Sequence, residues 1–180
     1  MSVADVDEAV ARSVSAGADV AASARNLNVG RVAAIVDPEG AVLGFARSNV
    51  GDPDDRTTAA APGRVVCSEL LSNDPAATAA FYRSVVGYDV RETERRGGEY
   101  TFLSAAGKDR AGILENPSTE WKAVWLTYFG VDDPAAAAMQ AKGLGGRIVL
   151  EASPEIREGS MAVVTDPSGA VLVLQRWSNQ

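Results

Sequence analysis

The 180-residue chain contains no histidine. That absence excludes a Ser-His-Asp triad and imidazole-based acid/base chemistry, and it removes the side chain on which most zinc, iron and nickel sites depend. Cys67 is the single cysteine, so no disulfide can close within the chain and a secreted disulfide scaffold is excluded. Basic residues are in the minority, with 17 Lys and Arg against 24 Asp and Glu and a net charge of -7. Binding to phosphate backbones needs a basic stripe, so nucleic acid is not an expected partner. No apolar run reaches the length of a membrane span, and Met1-Ser2-Val3-Ala4-Asp5 opens without the basic and apolar segments of an export signal. The expected location is therefore the cytoplasm, with no membrane partner. The hydrophobic fraction of 46% is sufficient for the core of one ordinary domain or two small ones.

The most informative feature present is internal repetition. Gly30-Arg31-Val32-Ala33-Ala34-Ile35-Val36-Asp37-Pro38-Glu39-Gly40-Ala41-Val42-Leu43 matches Gly159-Ser160-Met161-Ala162-Val163-Val164-Thr165-Asp166-Pro167-Ser168-Gly169-Ala170-Val171-Leu172. Each reads as a β-hairpin: apolar runs flank Asp-Pro-x-Gly, in which Pro presets φ and Gly tolerates the left-handed region. Upstream of each hairpin lies a helix. Asp5 and Glu8 have capping-box spacing before Val6, Val10 and Val14, and Gly17 ends the segment. Asp133-Pro134 opens the Ala-rich stretch to Lys142, and Asp74-Pro75 opens a third helix carrying Phe81 and Val85 and stopping at Gly87. Strands are expected over 64–71, 90–94, 100–105, 111–114, 123–129, 147–150, 161–165 and 171–175. The segment 48–63, rich in Asp, Pro, Thr, Ala and Gly, reads as a linker. The predicted organisation is α+β, a βαβββ unit repeated.

Glu69-Leu70, Asp74-Pro75, Phe81-Tyr82, Gly87-Tyr88, Tyr128-Phe129-Gly130-Val131-Asp132-Asp133 and Asp166-Pro167-Ser168-Gly169-Ala170, in that order, resemble the vicinal-oxygen-chelate (glyoxalase, bleomycin-resistance, dioxygenase) superfamily. The branch it resembles most is the two-module actinobacterial one labelled glyoxalase-like or hydroxylase-like. The resemblance implies mixed sheets curled into half-open cups, helices outside and a ligand on the concave face. It implies a complete module over 64–180 and an incomplete first module over 1–47, whose first strand is reduced to about Met1-Ser2. An incomplete module exposes an apolar face and an unpaired edge, so a homodimer is expected, unless the natural chain begins further upstream.

Metal-dependent members place ligands on the first and last strands of each unit. The corresponding positions here are Cys67, Leu126 and Val173, which implies that the metal site is lost and that no cofactor is needed. Strand alternation sets Cys67 and Glu69 on one face of the first strand, Leu126 and Tyr128 on another, and Val173, Gln175 and Trp177 along the last, with Tyr100 and Phe102 on an intermediate strand. These define an expected small-molecule pocket, apolar and aromatic with a few polar groups. Two readings stand for Glu69: an acid/base group with its pKa raised by apolar surroundings, working with Tyr128, or a structural carboxylate bonded to backbone or an arginine. Cys67 is a small core residue or an unassisted thiol, and Tyr128 and Trp177 either stack on a planar ligand or fill a core. Arg95-Arg96 with Gly97-Gly98 reads as a solvated hairpin turn, with contact to an anionic ligand as the other reading. Gly143, Gly145 and Gly146 follow a helix instead of preceding one, so they lack phosphate-loop geometry. The functional expectation is metal-independent binding of a hydrophobic or aromatic small molecule, of the sequestration or resistance type. The alternative is a metal-free enzyme of secondary metabolism or detoxification.

Overall fold

The computed structural model describes residues 1–51, 62–95, 98–118 and 120–177. Most of the expected linker, and Arg96-Gly97, lie outside them. Among the described residues the chain order is α1 (Val6–Ser15), β1 (Asp19–Leu27), β2 (Gly30–Val36), β3 (Val42–Ser48); then β4 (Val65–Ser72), α2 (Pro75–Val86), β5 (Asp89–Arg95), β6 (Gly98–Ala105), β7 (Lys108–Glu115); then β8 (Val124–Val131), α3 (Pro134–Gly143), β9 (Arg147–Leu150), β10 (Met161–Thr165) and β11 (Val171–Arg176). This is an α+β chain of βαβββ grammar. Among the described residues no full strand precedes α1. Residues Met1–Val3 take part of that place: Ser2 bridges Ala46 of β3 in parallel, and the Ala46 N–H donates to the Met1 carbonyl at 2.9 Å. β8 pairs in parallel with β11 in the same way.

Local chemistry accounts for the helices. The side chains of Asp5, Asp74 and Asp133 accept from backbone N–H groups of the first turns of α1, α2 and α3, and Pro75 and Pro134 open the last two helices. The expected capping box at α1 is half formed. Glu8 N–H donates to Asp5 at 3.0 Å, but the Glu8 carboxylate accepts from Arg12 one turn on. The buried stripe of α1 is Val6, Ala9 and Ser13, whereas Val14 is exposed. Of the expected Val6-Val10-Val14 row, Val6 is in the core and Val10 packs against it, and Val14 alone turns outward. β1 follows from the βαβββ grammar and not from its own pattern, since nearly all of its residues are exposed.

The chain divides into two compact units, Met1–Asp54 with Leu70–Trp125, and Asp55–Glu69 with Leu126–Gln180. In the first, β1-β2-β3 form one antiparallel sheet and β5, β6 and β7 are neighbours in that order. Its core combines Val6, Ile35, Phe45, Leu70, Tyr82, Val85, Leu103 and Ile113. Arg12 of α1 donates from Nε to the Val85 carbonyl at 2.9 Å, satisfying an orphan acceptor at the end of α2. In the second unit β8, β11, β10 and β9 are successive neighbours, and α3 packs Ala138 against Ala162, Val164 and Leu174. The alternate residues of β11 and β8, Val173 and Tyr128, are direct partners in the parallel register and share the sheet's other face.

Candidate functional site

Glu69 stands at the end of the part of β4 that belongs to the second unit, and Tyr128 at the middle of β8. The Tyr128 hydroxyl donates a hydrogen bond to Glu69 Oε2. Both residues are buried, at 2% and 3% exposure, as are Val173 at 0% and Leu126 at 8%. A carboxylate so deep needs compensation, because desolvation disfavours its charged form. Part of that compensation comes from Arg157, whose Nη2 lies 3.6 Å from Glu69 Oε2 and whose guanidinium carbon is 6.0 Å from the centre of the Tyr128 ring.

The turn that delivers Arg157 is unusual. Arg157, Glu158 and Gly159 are successively left-handed, with φ of 48°, 56° and 70°. The two non-glycine positions cost about 1–3 kcal/mol each. Only glycine takes this conformation cheaply, so the turn holds strain where its first residue reaches the Tyr128–Glu69 pair.

Burial, and next the Glu69 charge, push the Tyr128 phenol far above the ordinary tyrosine range; Arg157 acts in the opposite direction. Tyr128 therefore keeps its proton at any physiological pH and serves as a donor. It cannot act as a base there. Glu69 accepts that proton's hydrogen bond, so a ligand oxygen that engaged Tyr128 would have to share or displace it.

The residues singled out from sequence separate into two groups. Cys67, Glu69, Leu126, Tyr128, Val173, Gln175 and Trp177 belong to the second unit, and Tyr100 and Phe102 to the first. Cys67 is half-buried. Gln175 is half-buried and donates to the Arg176 carbonyl at 3.2 Å. Trp177 follows β11 and is 42% exposed, so it does not fill the core. Tyr100 and Phe102 lie side by side on β6 with ring centres 4.6 Å apart. The expectation missed Arg157 altogether. It sits in an irregular turn with no period and no motif, and the sole hint was Glu158-Gly159, a pair suited to a tight reversal.

A second polar group, in the first unit, also went unforeseen. The Tyr82 hydroxyl donates to Asp37 Oδ2 at 2.8 Å and accepts from Trp125 Nε1 at 3.1 Å. Every member is engaged, and Asp37 also caps its own turn through Glu39 and Ala41 N–H. This group holds a hairpin to a helix and presents no reactive atom.

A divalent metal would need three or four nitrogen, oxygen or sulfur donors. Of the three family-implied positions, Cys67 offers a thiol while Leu126 and Val173 offer hydrocarbon. Among the described residues no three His, Cys, Asp or Glu side chains are grouped as a metal site would require. The donor set does not fit the ion.

The family model for the Glyoxalase/Bleomycin resistance protein/Dioxygenase superfamily matches residues 63–174. A Mycobacterium tuberculosis protein named as a glyoxylase, CFP32, is 33% identical over 175 residues, covering 95% of this chain and 66% of that protein. The anthracycline biosynthesis protein DnrV of Streptomyces peucetius is 30% identical over 131 residues, or 64% of this chain and 48% of that one. The chain thus spans about two thirds or less of the length of these relatives. Among solved structures, the Mn(II)-bound glyoxalase of Novosphingobium aromaticivorans aligns with a TM-score of 0.58 at 18% identity, over 97% of this chain and 60% of that one. The 2,3-dioxygenase LapB of Pseudomonas sp. KL28 aligns at 0.56 and 13%, over 97% and 68%. Likeness at that level of identity speaks for the fold alone. By the family match and the order of its repeats, the chain belongs to the glyoxalase/bleomycin resistance protein/dioxygenase superfamily.

Proposed function

We propose that this chain is a metal-independent member of the superfamily that binds a hydrophobic or aromatic small molecule on the strand face of β4, β8 and β11, in the manner of sequestering or resistance proteins. The observation that carries the proposal is what stands at the family's ligand-bearing positions. Apolar Leu126 and Val173 are buried on β8 and β11, with Val173 the register partner of Tyr128, beside one polar group in which Tyr128 and Arg157 both engage Glu69. An apolar face with one preorganised polar cluster is suited to orienting a planar molecule. Its exposed arginine is the member placed to move when the molecule arrives. We further place the protein in the cytoplasm as a homodimer, consistent with its acidic charge and its single cysteine.

The test is a thermal-shift panel of planar aromatic metabolites and antibiotics, with polycyclic compounds included because DnrV carries an anthracycline biosynthesis name. Ligand that binds only the folded state raises the melting temperature by mass action. A shift preserved in chelator and abolished by Tyr128→Ala supports the proposal. A shift seen only after adding a divalent metal sinks it.

The second reading, a metal-free enzyme using Glu69 and Tyr128, draws support from the burial of the carboxylate and its hydrogen bond to the phenol. Glu69→Gln separates the two. Turnover lost with affinity kept favours the enzyme, and affinity lost with no turnover in either protein favours binding.

A further inference from the structure

The strand face of the second unit carries one polar group that the fold itself does not use. Val163, Val173 and Tyr128 form one row across the sheet, since Val173 of β11 is the register partner of Val163 on β10 and of Tyr128 on β8. Paired residues project to the same side of a sheet, and so do alternate residues along a strand. Thr165, two positions beyond Val163 on β10, therefore stands on the Tyr128 side. The opposite side is the one covered by α3, where Ala138 meets Ala162, Val164 and Leu174. In the strand order β4-β8-β11-β10, Thr165 lies at the far end of the ligand face from Glu69.

Thr165 is 5% exposed, and its Oγ1 is buried without a hydrogen-bond partner. An unpaired hydroxyl out of water is a net cost to folding, and valine would fill the same shape in a strand without it. The register partners of Thr165 are Val171 on β11 and Arg147 on β9, and both are exposed. The row is thus open to solvent on either side of the hydroxyl. From Tyr128, Thr165 is two strands across and two residues along, roughly 12 Å between Cα positions at ordinary strand spacing and rise. Val163, Val171 and Val173 stand between them. The face has a polar group at each end and hydrocarbon in the middle.

We infer that Thr165 is a second anchor of the ligand site, and that the ligand is an elongated planar polycycle with an oxygen at each end, one meeting the Tyr128–Arg157 group and the other the Thr165 hydroxyl. The inference rests on the binding reading above and narrows it. A single ring is too short to reach both anchors. The valines between them offer dispersion contacts to a flat hydrocarbon body, and a hydroxyl that both donates and accepts can pair with a phenol or a carbonyl.

The probes are 2,6-dihydroxyanthraquinone, a linear tricycle with a phenol at each end, and 2-hydroxyanthraquinone, which lacks one of them. Dissociation constants for the full chain should favour the dihydroxy compound on the order of tenfold, the worth of one buried hydrogen bond. Thr165→Val keeps the shape and removes the hydroxyl, so most of that preference should vanish. Thr127→Val, which removes a hydroxyl from the other side of β8, should retain it. Without ligand, Thr165→Val should melt no lower than the wild type, because the hydroxyl it removes is unpaired. If both compounds bind and Thr165→Val leaves their ratio unchanged, the inference is overturned while the binding reading stands. A lower melting temperature for ligand-free Thr165→Val also overturns it, since the hydroxyl would then be serving the fold. Absence of binding by both compounds removes the reading on which the inference rests, and the inference with it.

Discussion

The turns Asp37–Ala41 and Asp166–Ala170 are the two copies of one motif, and their backbones match. In each, the first Asp N–H donates to the fifth carbonyl at 2.9 Å, and the Asp carboxylate accepts from the third and fifth N–H groups. Gly40 and Gly169 adopt nearly the same φ, 94° and 96°. The side chains part ways. Asp37 uses its second oxygen to hold the buried Tyr82 hydroxyl, whereas Asp166 turns back to Ser168 of its own loop. At the third position Glu39 reaches the start of α2, accepting from Asp74 N–H at 2.8 Å and Thr78 Oγ1 at 2.9 Å, while Ser168 reaches no helix. The same five-residue grammar is a clasp in one repeat and a plain reversal in the other. Local chemistry makes the turn, and the side chains at its first and third positions decide whether it also binds a neighbour.

That contrast can be broken at its backbone first. A Cβ at Gly30 would come within 2.0 Å of the Arg47 carbonyl oxygen at a φ of 141°, while one at Gly159, its counterpart in the later copy, would meet nothing closer than 3.8 Å at a φ of 70°. Gly30→Ala should cost more than about 3 kcal/mol, and Gly159→Ala about 1 kcal/mol. Denaturant midpoints for the pair measure this directly, and equal losses would refute the difference. Next comes the clasp. Asp37→Ala strands a buried phenol and two N–H groups and should cost about 3 kcal/mol, against a much smaller loss for Asp166→Ala.

A smaller effect is expected within the second unit. Tyr128→Phe removes a donor from the buried Glu69 carboxylate and should lower stability by about 2 kcal/mol. Its signature is a change in the Arg157 turn, because the guanidinium then carries more of the compensation.

The smallest effect is spectroscopic. Burial raises the pKa values of both Tyr82 and Tyr128, in each case beyond the range in which the native fold is normally titrated. A folded pKa above the unfolded value means that the associated stability is whole below the ordinary tyrosine pKa of 10.0 and declines as pH rises past it. Absorbance at 295 nm should therefore show these two phenols ionising only as the chain unfolds in alkali. Early ionisation of either would contradict its buried hydrogen bond.

Several of these features were readable in the sequence because they depend on near neighbours. Asp-Pro-x-Gly marks a turn wherever it falls, and Asp-Pro before an amphipathic stretch marks a helix start, so the three-repeat grammar is explicit. Alternation also set Glu69 and Tyr128 among the candidate site residues, although not the bond between them. What escaped depends on distance along the chain. The Tyr82–Asp37 bond spans 45 positions, and Arg157 reaches its partners from an irregular turn with no pattern to betray it. β1 lacks an apolar face, so its pairing with β2 leaves no periodic trace. The division of Tyr100 and Phe102 from the other site residues follows packing units, which strand alternation alone does not report.

The central claim is that the residues at the superfamily's metal-bearing positions do not assemble a divalent site. Titration of Mn(II) into chelator-treated protein, read by the loss of the free-ion electron paramagnetic resonance signal, tests it most directly. The account predicts no stoichiometric uptake at micromolar metal, in the wild type and in Cys67→Ala alike. One tightly held Mn(II) per chain, lost on Cys67→Ala or Glu69→Gln, would contradict it.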